Sequence, residues 1–131
     1  IRTTDTNGGR IIGFGDSTGQ TSSNYDRHLY LLADGRLRYG VWIGSAATID
    51  SPQAVNDGQW HHVVVTQQPG EQKMYVDGVA VATGTASAQQ NYSGYWRLGA
   101  DNIWSGDRHY RGLIDEAAVE LEVDFSGHEH D

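Results

Sequence analysis

The chain has 131 residues, 17 Asp and Glu against 9 Lys and Arg, a formal net charge of −8 and no cysteine. That length suits a single core, so one domain over residues 1–131 is expected; disulfides and thiolate metal sites are excluded, and cations scattered among carboxylates give no basic surface for nucleic acid. No apolar run approaches the ~20 residues of a membrane-crossing helix. The sequence opens at Ile1 with no basic and apolar leader, so any targeting segment is expected to have been removed or to lie outside it.

In chain order, the β-branched and aromatic stretches predict strands over Arg10–Gly15, His28–Ala33, Arg36–Ile43, Trp60–Gln67, Lys73–Val76, Val79–Thr83, Tyr95–Gly99 and Arg111–Val119, with a last one through Leu121–Phe125. Asp34-Gly35, Asp57-Gly58, Asp77-Gly78 and Gly106-Asp107 mark turns between them. No segment has a helical period, and eight or nine short strands imply an all-β antiparallel sandwich or jelly roll. An Asp-Gly pair in a two-residue turn fixes register. Around Asp77-Gly78 it sets Val76 opposite Val79 and Met74 opposite Val81. Around Asp34-Gly35 it gathers Tyr30, Leu32, Leu37, Tyr39, Val41 and Ile43 on one core face, with Leu29, Leu31, Arg36, Arg38 and Trp42 opposite. A three-residue turn there would move one strand's side chains to the other face. The long segments Asp16–Arg27, Gly44–Gln59, Gly84–Gly94 and Ala100–Tyr110 are rich in Ser, Thr, Gly, Asn and Asp, and such loops commonly carry function on a rigid sandwich.

Four ordered motifs, W-H-H-V-V-V-T at Trp60–Thr66, M-Y-V-D-G at Met74–Gly78, Y-W-R-L-G-A-D at Tyr95–Asp101 and G-L-I-D-E at Gly112–Glu116, span about 57 residues and resemble the laminin G-like, concanavalin A-like jelly roll that pentraxins share. The earlier G-G-R-I-I-G-F-G and A-D-G-R-L-R-Y segments fit it too. The resemblance implies two face-to-face antiparallel sheets and a noncatalytic, extracellular or cell-surface binding role. Members supply strands before the position of Ile1, so the N-terminal strand looks truncated. The alternation of Glu120-Leu121-Glu122-Val123-Asp124-Phe125 offers a replacement, and a strand from a second subunit is the other way to complete the sheet.

Candidate sites follow. Tryptophan and arginine around sugar-sized loops suit a glycan, which points to Trp104, Arg108 and Tyr110, with Trp42 and Arg38 as a second possibility; Trp96 alternates with Arg97 and is expected in the core. The pentraxin resemblance places calcium ligands after Leu98-Gly99, at Asp101 and Asn102, and at Asn24 and Asp26, implying one Ca2+; turn formation by the same Asp and Asn residues is the competing explanation. His61 and His62 are strand neighbours on opposite faces and cannot share an ion. Asp16 and Asp107 read as turn formers, and Asp115 and Glu116 as groups that fix a returning strand. A glucanase-type carboxylate pair among Glu120, Glu122 and Asp124 is the catalytic alternative, disfavoured because it sits at the chain end. The expected partners are carbohydrate or an extracellular protein, with self-association through an incomplete sheet edge as the structural alternative.

Overall fold

The computed structural model describes residues 1–87 and 90–120, and they build two antiparallel sheets from eight strands. These are β1 (Gly9–Gly15), β2 (Tyr25–Leu31), β3 (Leu37–Trp42), β4 (Ala46–Asp50), β5 (Val63–Gln68), β6 (Glu71–Val76), β7 (Val79–Gly84) and β8 (Tyr95–Leu98). The larger sheet runs β4-β3-β2-β1-β8 and the smaller β5-β6-β7. No helix occurs among the described residues.

The core lies between the sheets. Leu29 and Leu31 of β2, Leu37, Tyr39 and Val41 of β3, Ile49 of β4 and Ile11 of β1 pack with Met74 of β6 and Val55. Each such side chain contributes roughly 1.5–3 kcal/mol of apolar burial. The Tyr39 hydroxyl crosses to the smaller sheet and donates to Gln67 Oε1 at 3.2 Å.

The two readable hairpins behave differently. Asp77 and Gly78 have φ of 53° and 83°, the left-handed pair a two-residue turn requires, and Val76 faces Val79 as expected. One step further Met74 faces Ala82 instead of Val81, because a register shift follows Tyr75. At the other hairpin only Gly35 takes a positive φ, 87°. Gly35 N–H donates to Leu32 O at 2.9 Å and Leu32 N–H to Arg36 O at 2.8 Å, so Ala33, Asp34 and Gly35 together make the turn. The extra residue inverts β2 relative to the two-residue reading. Leu31 faces Leu37 and Leu29 faces Tyr39 on the core side, while Tyr30 and Arg38 pair on the outer side. Ile43 lies beyond the end of β3 and is 39 % exposed.

Three further expectations are corrected. A strand, β4, lies inside the segment read as a loop over residues 44–59; its Ala and Thr residues gave little signal, and Ile49 is its one deeply buried side chain. β2 begins three residues early, at Tyr25, because the charged Asp26 is buried rather than solvated. The strand expected over residues 111–119 does not form: only Leu113 pairs, exchanging hydrogen bonds of 2.8 and 3.0 Å with Arg2. Asp115 therefore fixes no strand and instead accepts the Glu116 N–H at 2.9 Å. The strand expected at 121–125 lies outside the described residues.

Five strands stand over three. β6 and β7 pack across β4, and among the described residues β8, at the far edge of the larger sheet, has β1 as its one neighbouring strand. Ile12, Trp96 and Leu98 of β1 and β8 line, with Val63–Val65 of β5, an open groove of about 800 Å³. Trp96, expected in the core, is 40 % exposed on this wall, tilted against Phe14 at 5.2 Å.

Candidate functional site

The outer face of the larger sheet carries the residues the sequence singles out. Strand alternation turns His28 and Tyr30 of β2, and Arg38, Gly40 and Trp42 of β3, away from the core. Residues 100–110 fold back over this face and lay the Trp104 indole directly on Gly40, where a Cβ would come within 2.5 Å of the ring. The Trp104 ring meets His28 edge-on at 4.3 Å and lies 5.9 Å from Trp42 and 6.5 Å from Tyr25. Trp42 is 39 % exposed and Trp104 half-buried, so the two indoles, inclined at 50°, form an open aromatic shelf.

Polar ties hold the loop in place. Asp101 is buried and accepts from Ser22 N–H and Ser22 Oγ, both at 2.7 Å, and from Asn102 N–H at 2.8 Å. Burial pushes its carboxyl up, but these donors and Arg10 outweigh that and hold it below the usual carboxylate range. Asn102 Nδ2 donates to Ser22 O at 2.8 Å. Farther along, Asp107 accepts from His109 N–H at 2.9 Å and Arg111 Nη1 at 3.0 Å, and Arg10 N–H reaches Arg108 O at 3.3 Å.

Of the glycan candidates, Trp42 and Trp104 come together. Arg108 is exposed at the loop's rim, its Nη1 3.4 Å from Asn102 Oδ1. Arg38 shares the outer face but forms a two-pronged pair with Asp50, at 2.7 and 2.8 Å. Tyr110 lies elsewhere: its ring packs against the core and its hydroxyl is 3.0 Å from Leu113 O and 3.2 Å from Arg2 O.

The four calcium candidates are each engaged by the protein. Asp101 and Asn102 are held as described. Asn24 donates through Nδ2 to Asp16 Oδ2 at 3.0 Å and accepts from Gln90 Nε2 at 3.1 Å. Asp26 is buried and accepts from Arg27 at 2.7 Å, Tyr92 Oη at 2.9 Å and Trp42 N–H at 3.1 Å. Among the described residues no three His, Cys, Asp or Glu side chains gather as a metal-ligand set. Asp16 accepts from Ser23 and Asn24 N–H at 2.8 and 3.0 Å, the bonding of a turn former.

One cluster escaped the sequence reading. His61 sits between Asp57, 2.8 Å from its Nε2, and Asp77, 2.7 Å from its Nδ1. The two Asp-Gly turns flanking His61 in sequence were the available signal, since each presents its carboxylate beside the strand entry.

Residues 1–121 match the family model for the laminin G type of the concanavalin A-like lectin/glucanases superfamily. No curated protein matches the chain. A lectin-like binding module is what this superfamily supports, and the two-sheet architecture agrees with it. With all but the last ten residues covered by the match, the chain belongs to the concanavalin A-like lectin/glucanase superfamily.

Proposed function

We propose that this chain is a noncatalytic, extracellular or cell-surface binding module that holds a carbohydrate on the Trp42–Trp104 shelf. The observation that carries the reading is the pairing of two partly exposed indoles 5.9 Å apart on the outer sheet face, with the exposed Arg108 on the same loop as Trp104. Sugar C–H faces stack on indole rings while guanidinium and amide groups take hydroxyls. Calcium is not required by this reading, since the oxygens of Asp101 and Asp26 already accept strong donors.

The test is a glycan array followed by titration calorimetry on the best ligand. Trp42→Ala and Trp104→Ala should each weaken binding about 2- to 10-fold, the worth of one aromatic contact of about 0.5–1.5 kcal/mol, with a chelator changing nothing. An array with no binder, or variants that bind unchanged, rejects the shelf.

A second reading is favoured by a separate observation: among the described residues β5 and β8 each have one neighbouring strand, with an open, largely apolar groove between them. A second copy of the chain would complete the sandwich by strand addition.

A further inference from the structure

Among the described residues, a buried positive charge on the outer sheet face lacks a full complement of partners. Arg10 is completely buried. Its Nη1 donates to Gly99 O at 3.0 Å and Arg97 O at 3.3 Å. Its Nε and Nη2, the two parallel donors of the guanidinium's side-on fork, have no acceptor among the described residues. Asp101 Oδ2 lies 4.0 Å from Nη2, beyond hydrogen-bond reach, and that carboxylate is already taken by Ser22 and Asn102.

The charges do not balance. Arg97 also leans on Asp101, at 3.7 Å, so two guanidiniums share one carboxylate. His28 is equally buried, and its ring faces the Asn102 backbone without a close hydrogen bond to either nitrogen among the described residues. It packs beside Arg10: the point where a Cβ on Gly13 would sit is 2.6 Å from Arg10 Nη2 and 2.4 Å from His28 Cβ. Burial, followed by the Arg10 charge, lowers His28 to about 3, so the imidazole is neutral and offers one N–H. A buried charge left unpaired is strongly unfavourable, whereas a fork aimed at an anion makes two charge-assisted hydrogen bonds.

We propose that the buried Arg10 fork, with His28 alongside, is a resident site for a small monovalent anion of the chloride class. Such an ion offsets the excess of two guanidiniums over one carboxylate, and a single atom can accept from both donors of the fork at once. It braces the sheet face from which residues 100–110 present Trp104, and the site stands whether or not a sugar binds above it.

The experiment is thermal unfolding of the full chain at fixed ionic strength, with chloride exchanged for methanesulfonate, a bulkier anion. A ligand of the native state alone raises the midpoint, and between about 1 and about 100 mM chloride the expected rise is several degrees. Arg10→Lys, which lacks the fork, should flatten that dependence. Because this variant risks misfolding, bromide-soaked crystals of the unaltered protein supply a second measurement, with an anomalous peak expected within hydrogen-bond distance of Arg10 Nε and Nη2. A chloride-independent midpoint, or a water at the fork without anomalous signal, overturns the proposal.

Discussion

His61 shows how far two distances fix a protonation state. A neutral imidazole has one N–H, yet both ring nitrogens here lie within 2.8 Å of carboxylate oxygens that only accept. The ring is therefore doubly protonated, and it ties the turn at Asp57 to the β6–β7 turn at Asp77. Desolvation pulls its pKa down, but the Asp77 and Asp57 hydrogen bonds win and the net shift is upward. The His61 hydrogen bond lowers Asp77, and the Gln59 N–H, with His61 second, lowers Asp57. A raised histidine adds stability that is fully present below its unfolded pKa of about 6.5 and is lost as pH rises through the folded value. Lowered aspartates add stability that is present above about 3.8 and is lost as pH falls through their folded values. Urea unfolding should accordingly show stability declining on the alkaline side of about pH 6.5, and His61→Gln should remove that decline. An unchanged alkaline slope in the variant would refute the imidazolium. The backbone of His61 also exchanges hydrogen bonds of 2.8 Å with Ile1, so the same proton steadies the start of the described chain.

At the scale of elements, turn length decides which face a strand shows. The Asp77-Gly78 hairpin was legible because both central residues take positive φ, leaving one geometry for the flanking valines. The Asp34-Gly35 hairpin has the same dipeptide but recruits Ala33, and this single residue moved Leu29 and Leu31 into the core in place of Tyr30. The dipeptide alone does not carry that distinction, because Asp-Gly serves both turns. The outer face shows the same limit. Trp42 and Trp104 were both visible as candidates, but their meeting depends on Gly40 leaving room for an indole, a contact across more than 60 residues that strand alternation does not reveal. β4 stayed hidden because alanine and threonine beside one isoleucine look like loop. Gly35 and Gly78 offer a direct comparison. A Cβ at Gly78 meets nothing within 4 Å, so Gly78→Ala should cost about 1 kcal/mol for positive φ alone. A Cβ at Gly35 falls 2.2 Å from Asn56 Oδ1, so the Asn56 amide must move and strain the 3.0 Å hydrogen bond that its Nδ2 donates to Asp5 O, and Gly35→Ala should cost about 2 kcal/mol. Equal denaturation midpoints for the two variants would show that the Asn56 contact carries no weight.

For the whole molecule the unequal sheets matter most. β8 presents Trp96 and Leu98, 40 % and 52 % exposed, along an edge with no further strand among the described residues, and β5 presents Val63–Val65 across the groove. Apolar burial favours covering such a wall, and unpaired edge N–H and C=O groups favour adding a strand. The net charge of −8 opposes the approach of a second copy, because every encounter brings like charges together. Salt separates the two forces: it shortens the Debye length from about 30 Å at 0.01 M to about 3 Å at 1 M, while leaving apolar attraction in place. Light scattering of the full chain should therefore find monomer in dilute buffer and a growing dimer fraction as sodium chloride is added. Leu98→Lys places a solvated charge in the middle of the apolar wall and should hold the chain monomeric at every salt concentration, whereas Trp42→Ala on the opposite face of the same sheet should leave the dimer intact. A dimer that dissolves as salt rises would mean that ion pairs drive assembly. A dimer lost in Trp42→Ala would move the interface to the shelf and place assembly in competition with sugar for the same indoles.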